Sequence, residues 1–75
     1  MKNKNINIDP EILGGTPVFS GTRVPIQSLF DWLETETLEN FLTNFPGVKL
    51  NQALDVLSHA EELIINEAMN ESIFR

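Results

Sequence analysis

Gly14-Gly15-Thr16-Pro17-Val18-Phe19-Ser20-Gly21-Thr22-Arg23-Val24-Pro25 places three glycines and two prolines among twelve residues, yet interleaves them with Val18, Phe19 and Val24. A flexible linker has no use for such residues; a built turn does. Gly14 and Gly15 tolerate positive φ, and Pro17 fixes φ on entry to the next segment. Ser20-Gly21 fits a two-residue turn between Val18-Phe19 and Thr22–Val24, while Pro25 suits the opening of a helix. In that register Phe19 faces Thr22, and Val18 faces Arg23. Arg23 then stands on a very small sheet, where the simplest role for its guanidinium is a bidentate pair with a carboxylate.

Upstream, Ile6 and Ile8 alternate with Asn5 and Asn7, the period of a short half-buried strand that can join the hairpin. Three strands of three or four residues do not form an independently stable sheet. They require helices or a second subunit against them, which makes the sheet edge a dimerisation candidate. Downstream of Pro25 the period changes to 3.6. Ile26, Leu29, Phe30 and Leu33 share one face, with Gln27, Ser28, Asp31 and Glu34 on the other. Thr35-Glu36-Thr37 supplies a capping hydroxyl for a second helix with the stripe Leu38, Phe41, Leu42 and Phe45, which Pro46-Gly47 ends. A third helix begins near Leu50 with Ala53, Leu54, Leu57, Ala60, Ile64 and Ala68 as its expected buried face and Asn51, Asp55, Ser58 and Glu62 as its polar stripe. The expected fold is mainly α with a small N-terminal β element: a strand and β-hairpin over 6–25, a three-helix, helix-turn-helix core over 26–60 of homeodomain-like or winged-helix-like type, and a helical extension over 61–75. All of it forms one domain, 1–75.

The string from Gly14 to Pro25, with Ile8-Asp9-Pro10-Glu11-Ile12-Leu13 before it and Ile26-Gln27-Ser28-Leu29-Phe30 after it, closely resembles the DUF433 family of small bacterial proteins. The likeness continues through Asp31-Trp32-Leu33-Glu34, Thr37-Leu38, Phe41-Leu42, Phe45-Pro46 and Gln52-Ala53-Leu54, covering roughly residues 6 to 60. Gly14, Gly15, Pro17, Gly21, Thr22, Arg23 and Pro25 carry the motif. The resemblance implies an antitoxin-like helix-turn-helix protein whose partner is a PIN-like nuclease toxin. Two departures stand out. The family carries a glycine between its first two helices and is a residue longer there, and it places Ser or Thr where Lys49 stands.

Composition narrows the functional classes. The chain has 75 residues, no cysteine, one histidine and a net charge of −6. Such a length allows one small domain that buries only about 60% of its unfolded surface, so help from a partner is expected. Without cysteines there are no disulfides and no thiolate zinc site, and no residues show metal-ligand spacing. The carboxylates scatter over solvent faces, His59 lacks a nucleophile or orienting partner, and Gly14-Gly15 precedes no P-loop lysine. Neither catalytic residues, a metal, a cofactor nor a small-molecule substrate is expected. No apolar run reaches the ~20 residues of a membrane span, and with no charged leader the expected location is cytoplasmic.

Two surfaces remain as candidates. Recognition helices touch bases with their N-terminal residues, here Lys49, Asn51 and Gln52, which can contact phosphate and pair with adenine. Five cations against eleven carboxylates make such binding weak in isolation and strongly salt-dependent. An ordinary solvated helix start accounts for the same residues. At the other end, Leu63, Ile64, Met69, Ile73 and Phe74 form a segment more apolar than a tail requires, one that docks on its own domain or in a partner's groove. The residues alone indicate a small acidic helical module with a glycine-rich hairpin that oligomerises; the resemblance implies a homodimeric antitoxin that neutralises a PIN-like nuclease and also contacts operator DNA. A stand-alone transcriptional regulator and a structural adaptor are the alternatives.

Overall fold

The computed structural model describes residues 3–73, with side chains described through residue 70. It contains two short strands, β1 (Ile6–Asn7) and β2 (Val18–Phe19), a single left-handed turn at Leu13–Gly15, and three helices, α1 (Ile26–Leu33), α2 (Leu38–Asn44) and α3 (Leu50–Ile73). The mainly helical fold with a small N-terminal antiparallel β element is therefore present. The core gathers where β2, α1, α2 and the first turns of α3 meet: Phe19, Leu29, Phe41, Val48, Ala53 and Val56 are buried. An aromatic column runs through it. The rings of Phe41 and Phe45 lie 4.8 Å apart, and Trp32 meets Phe45 edge-on at 5.4 Å while its indole N–H donates to Asn40 Oδ1 at 3.0 Å.

The strand pairing differs from the expected hairpin. β2 pairs antiparallel with β1, Ile6 facing Phe19 and Asn7 facing Val18. Thr22 N–H donates to Phe19 O at 3.0 Å, but Phe19 N–H reaches past Thr22 to Val24 O at 2.9 Å, and Val18 bridges Pro25 rather than Arg23. Turn geometry explains this. Gly21 has φ +80° whereas Ser20 does not enter the positive region, the pattern of a type II turn. Hairpins favour the mirror-image turns, whose twist matches that of their strands; a type II turn splays the strands apart. Thr22 completes the divergence, its hydroxyl donating to Phe19 O at 2.7 Å and accepting from Val24 N–H at 3.0 Å. The second limb is thus held by a side chain, and the sheet partner comes from the N-terminus.

Three consecutive residues with positive φ, Leu13 (47°), Gly14 (65°) and Gly15 (91°), reverse the chain between the strands. Thr16 closes this corner by donating its hydroxyl to Leu13 O at 2.9 Å.

The first two helices follow their sequence signals. Pro25 is the N-cap of α1 with extended φ/ψ, and Leu29 is fully buried on the expected face, with Ile26, Phe30 and Leu33 partly buried against the core. Thr37 caps α2 by accepting from Asn40 N–H at 3.1 Å. α2 ends at Asn44, two residues before Pro46, as the restriction on a pre-proline residue requires.

α3 keeps part of its expected face. Ala53 is buried and Leu57 packs half-buried on the core, joined by Gln52 and Val56, whereas Leu54 and Ile64 are 49% and 66% exposed and all residues from Glu61 to Asn70 are exposed. Beyond Ala60, length is the cause. At 1.5 Å per residue α1 and α2 are each about 10 to 12 Å long and α3 about 36 Å, so α3 outruns the elements able to cover it.

Candidate partner and nucleic-acid surfaces

The N-terminal end of α3 is stitched to the glycine-rich turn by a continuous hydrogen-bond relay. Ser20 N–H donates to Asn5 O at 2.9 Å, Gln52 Nε2 donates to Ser20 O at 3.2 Å, and Lys49 N–H donates to Gln52 Oε1 at 3.0 Å. The last bond is half of a capping box, in which the third helical residue reaches back to the N-cap. The reciprocal half is missing because Lys49 has no acceptor on its side chain. Gln52 thereby satisfies the Lys49 N–H, while the N–H groups of Gln52 and Ala53 donate to Lys49 O at 3.0 and 3.1 Å. The turn also packs directly on the α2–α3 corner: a Cβ at Gly47 would meet the Thr22 methyl at 3.4 Å.

Of the three residues expected to face DNA, the relay removes one. Gln52 is only 9% exposed and both ends of its amide are engaged, so it is a structural residue of the corner. Lys49 and Asn51 are exposed. Gln52→Met, which keeps the length and removes both bonds, is expected to destabilise the fold by about 1–3 kcal/mol because two part-buried hydrogen bonds to backbone groups are lost. Urea denaturation with an unchanged midpoint would refute this role.

Arg23 forms no ion pair among the described residues and its side chain is exposed. The expected carboxylate partner is absent among the described residues, because the splayed turn carries Arg23 off the sheet. Lys4, Arg23 and Lys49, the lysines and arginines within the described residues, therefore all flank the relay. Carboxylates dominate the opposite end of α3, where Glu61, Glu62 and Glu67 are exposed.

His59 lies beside the N-terminal segment. Its Nδ1–H donates to Asp55 O at 3.0 Å, and the Asn3 amide sits 3.5 Å from Nε2. Asp55 Oδ2 accepts from Asn5 Nδ2 at 2.9 Å. Hydrogen bonds from Asn5 first and Asn3 second hold the Asp55 carboxyl below the usual aspartate range, against an opposing effect of desolvation. The folded chain then binds this proton less readily than the unfolded chain. Its stabilisation is present above the ordinary aspartate value of about 3.9 and is lost as pH falls through the lowered folded value. Asn5→Ala should flatten this part of the acid limb in denaturation curves taken between neutral pH and strong acid; an unchanged limb would show that the contact is not coupled to folding. The cluster ties β1 to α3 and presents no nucleophile.

The second surface is the distal half of α3. Leu63, Ile64, Ile65 and Met69 are 65%, 66%, 50% and 61% exposed, so this half does not dock on its own domain. Of the other expected partner-binding residues, Ile73 has a described backbone only and Phe74 lies outside the described residues. A shallow depression of about 310 Å³ between α1, the α1–α2 connection and the end of α2, lined by Ser28, Asp31, Trp32, Thr35, Glu36 and Phe45, brings no nucleophile–base pair together. No described helix is long and apolar enough to cross a membrane.

Comparison with known proteins agrees with this fold. The family described as "Protein of unknown function (DUF433)" matches residues 6–60. The crystal structure of a DUF433 member protein from Anabaena variabilis ATCC 29413 superposes with a TM-score of 0.68 at 22% identity, over 96% of this chain and 70% of that one. No curated protein matches the sequence. The family match spans the strands, the glycine-rich turn, α1, α2 and the packed part of α3, and the chain belongs to the DUF433 family.

Proposed function

We propose that this protein is the antitoxin-like member of a cytoplasmic bacterial toxin–antitoxin pair, and that it acts by binding a PIN-like nuclease rather than by chemistry of its own. The observation that carries the reading is the distal half of α3, where residues 61–70 are all exposed and include four large apolar side chains. A helix that leaves its domain with apolar residues on several sides is suited to a partner's groove. Glu61, Glu62 and Glu67 run among these anchors and complement a basic nucleic-acid channel, so the segment steers toward and occludes such a channel. The test is calorimetric titration of the intact chain into the co-encoded nuclease, with nuclease activity read in parallel. Stoichiometric binding with loss of activity supports the reading, and absence of heat with undiminished activity overturns it.

The exposed first turn of α3 favours a second reading, operator contact by Lys49 and Asn51. A free chain of net charge −6 should then bind a duplex weakly and with steep salt dependence. Lys49→Glu is expected to abolish this binding, and unchanged affinity would exclude α3 from the DNA interface.

A further inference from the structure

Leu50, Leu54, Leu57, Glu61 and Ile64 recur along α3 at alternating spacings of four and three, with Ile65 beside the last. This is the spacing that a two-stranded coiled-coil seam uses, and it spans about 21 Å from Leu50 to Ile64 at 1.5 Å per residue. The domain covers it only in part, at Leu57, which packs half-buried against the core, while Leu50, Leu54, Ile64 and Ile65 are 54%, 49%, 66% and 50% exposed. The seam lies to one side of the face formed by Gln52, Ala53 and Val56, so α3 can pack on its own domain and on a second helix at once.

We propose that the seam is occupied by α3 of a second copy of this chain, running antiparallel. Charge selects both the occupant and the direction. The exposed Lys49, with Lys4 and Arg23 on the adjoining turns, stands at the N-terminal end of α3, and the exposed Glu61, Glu62 and Glu67 occupy its distal half. Antiparallel pairing sets each cationic end against the other copy's acidic end twice by symmetry, and it also opposes the two helix dipoles. Parallel pairing would align carboxylates with carboxylates. With Leu54 facing Ile64 of the other copy, Leu57 faces its Glu61 and Lys49 comes within two positions of its Glu67. Self-pairing covers Ile64 and Ile65 and draws Glu61 and Glu67 toward the other copy, so within the dimer Leu63 and Met69 are the apolar anchors left to the nuclease. The dimer stands on this seam whether or not the partner reading holds.

Sedimentation equilibrium of the intact chain at micromolar concentrations tests the proposal. The wild-type protein is expected to be a dimer that weakens with salt, and Leu54→Glu with Ile65→Glu a monomer of unchanged near-UV circular dichroism. A monomeric wild-type chain, or a double variant that stays dimeric, overturns it. Should the double variant unfold, Glu61→Leu decides instead: removing the polar residue from the seam should tighten association at least tenfold, and unchanged association counts against the seam. Direction is read from cysteines, since the chain has none of its own. An oxidised equimolar mixture of Leu54→Cys and Ile64→Cys chains should yield the mixed disulfide, whereas Leu54→Cys homodimers alone would show parallel pairing and overturn the antiparallel arrangement.

Discussion

Phe41→Ala is expected to lower the melting temperature by about 12 °C or more. Phe41 is fully buried and touches the rings of Phe19, Trp32 and Phe45, at centroid distances of 6.2, 6.3 and 4.8 Å. It is thus the residue through which β2, α1 and the end of α2 share one core. Truncating a buried phenylalanine costs about 3–5 kcal/mol. A domain of this size has a total stability of roughly 4–11 kcal/mol at 0.05–0.15 kcal/mol per residue, so the loss consumes a large part of it. Collapse around the cavity is restricted because the neighbouring rings are held from several sides, Trp32 additionally by its bond to Asn40. Thermal denaturation followed at 222 nm checks the expectation. A melting temperature within a few degrees of the wild type would mean that the core is centred elsewhere, on Leu29 or Val56.

Leu63→Ser combined with Met69→Ser should weaken nuclease binding by two orders of magnitude or more while leaving the fold intact. Both side chains are more than 60% exposed, so the free protein loses little by the exchange. Full burial of such a side chain is worth about 1.5–3 kcal/mol. Two of them contribute about 3–6 kcal/mol, and each 1.4 kcal/mol is a factor of ten in affinity. Part of this is offset by the ordering of flexible side chains on binding. Calorimetry with the double variant, beside a circular dichroism control, gives the answer. Native affinity in a folded double variant would remove these two positions from the interface. Neither substitution touches the proposed α3 seam, so partner binding and self-association are separable experimentally.

Nucleic-acid contact has a narrower basis than three adjacent polar residues implied. Gln52 has the chemistry to read adenine, but an amide whose ends bridge Ser20 and Lys49 cannot also meet a base. What remains is Lys49 and Asn51, with the exposed Arg23 and Lys4 on the turns alongside. These residues suit phosphate contacts, which position a protein without specifying sequence.

Local physics made much of this fold readable from the chain alone. Pro25 at the start of α1, the Thr37 hydroxyl capping α2, Pro46 beyond the α2 end and the apolar repeats of both helices act within a few residues, so sequence determined those elements and their inward faces. The positive φ of Gly14, Gly15 and Gly21 was legible for the same reason. Tertiary structure alone decided the rest. Whether Ser20-Gly21 closes a tight hairpin depends on which sheet edge is available to Phe19, and β1 takes it. Whether Arg23 finds a carboxylate depends on what the splayed turn is carried toward. The inward face of α3 depends on the reach of its neighbours: over its first turns the relay and the aromatic core draw in Gln52, Ala53 and Val56, and beyond Ala60 α1 and α2 have ended. A pattern of Leu and Ile states that a helix has apolar surface to cover; only the packed arrangement of the other elements states how much of that surface the domain itself can reach.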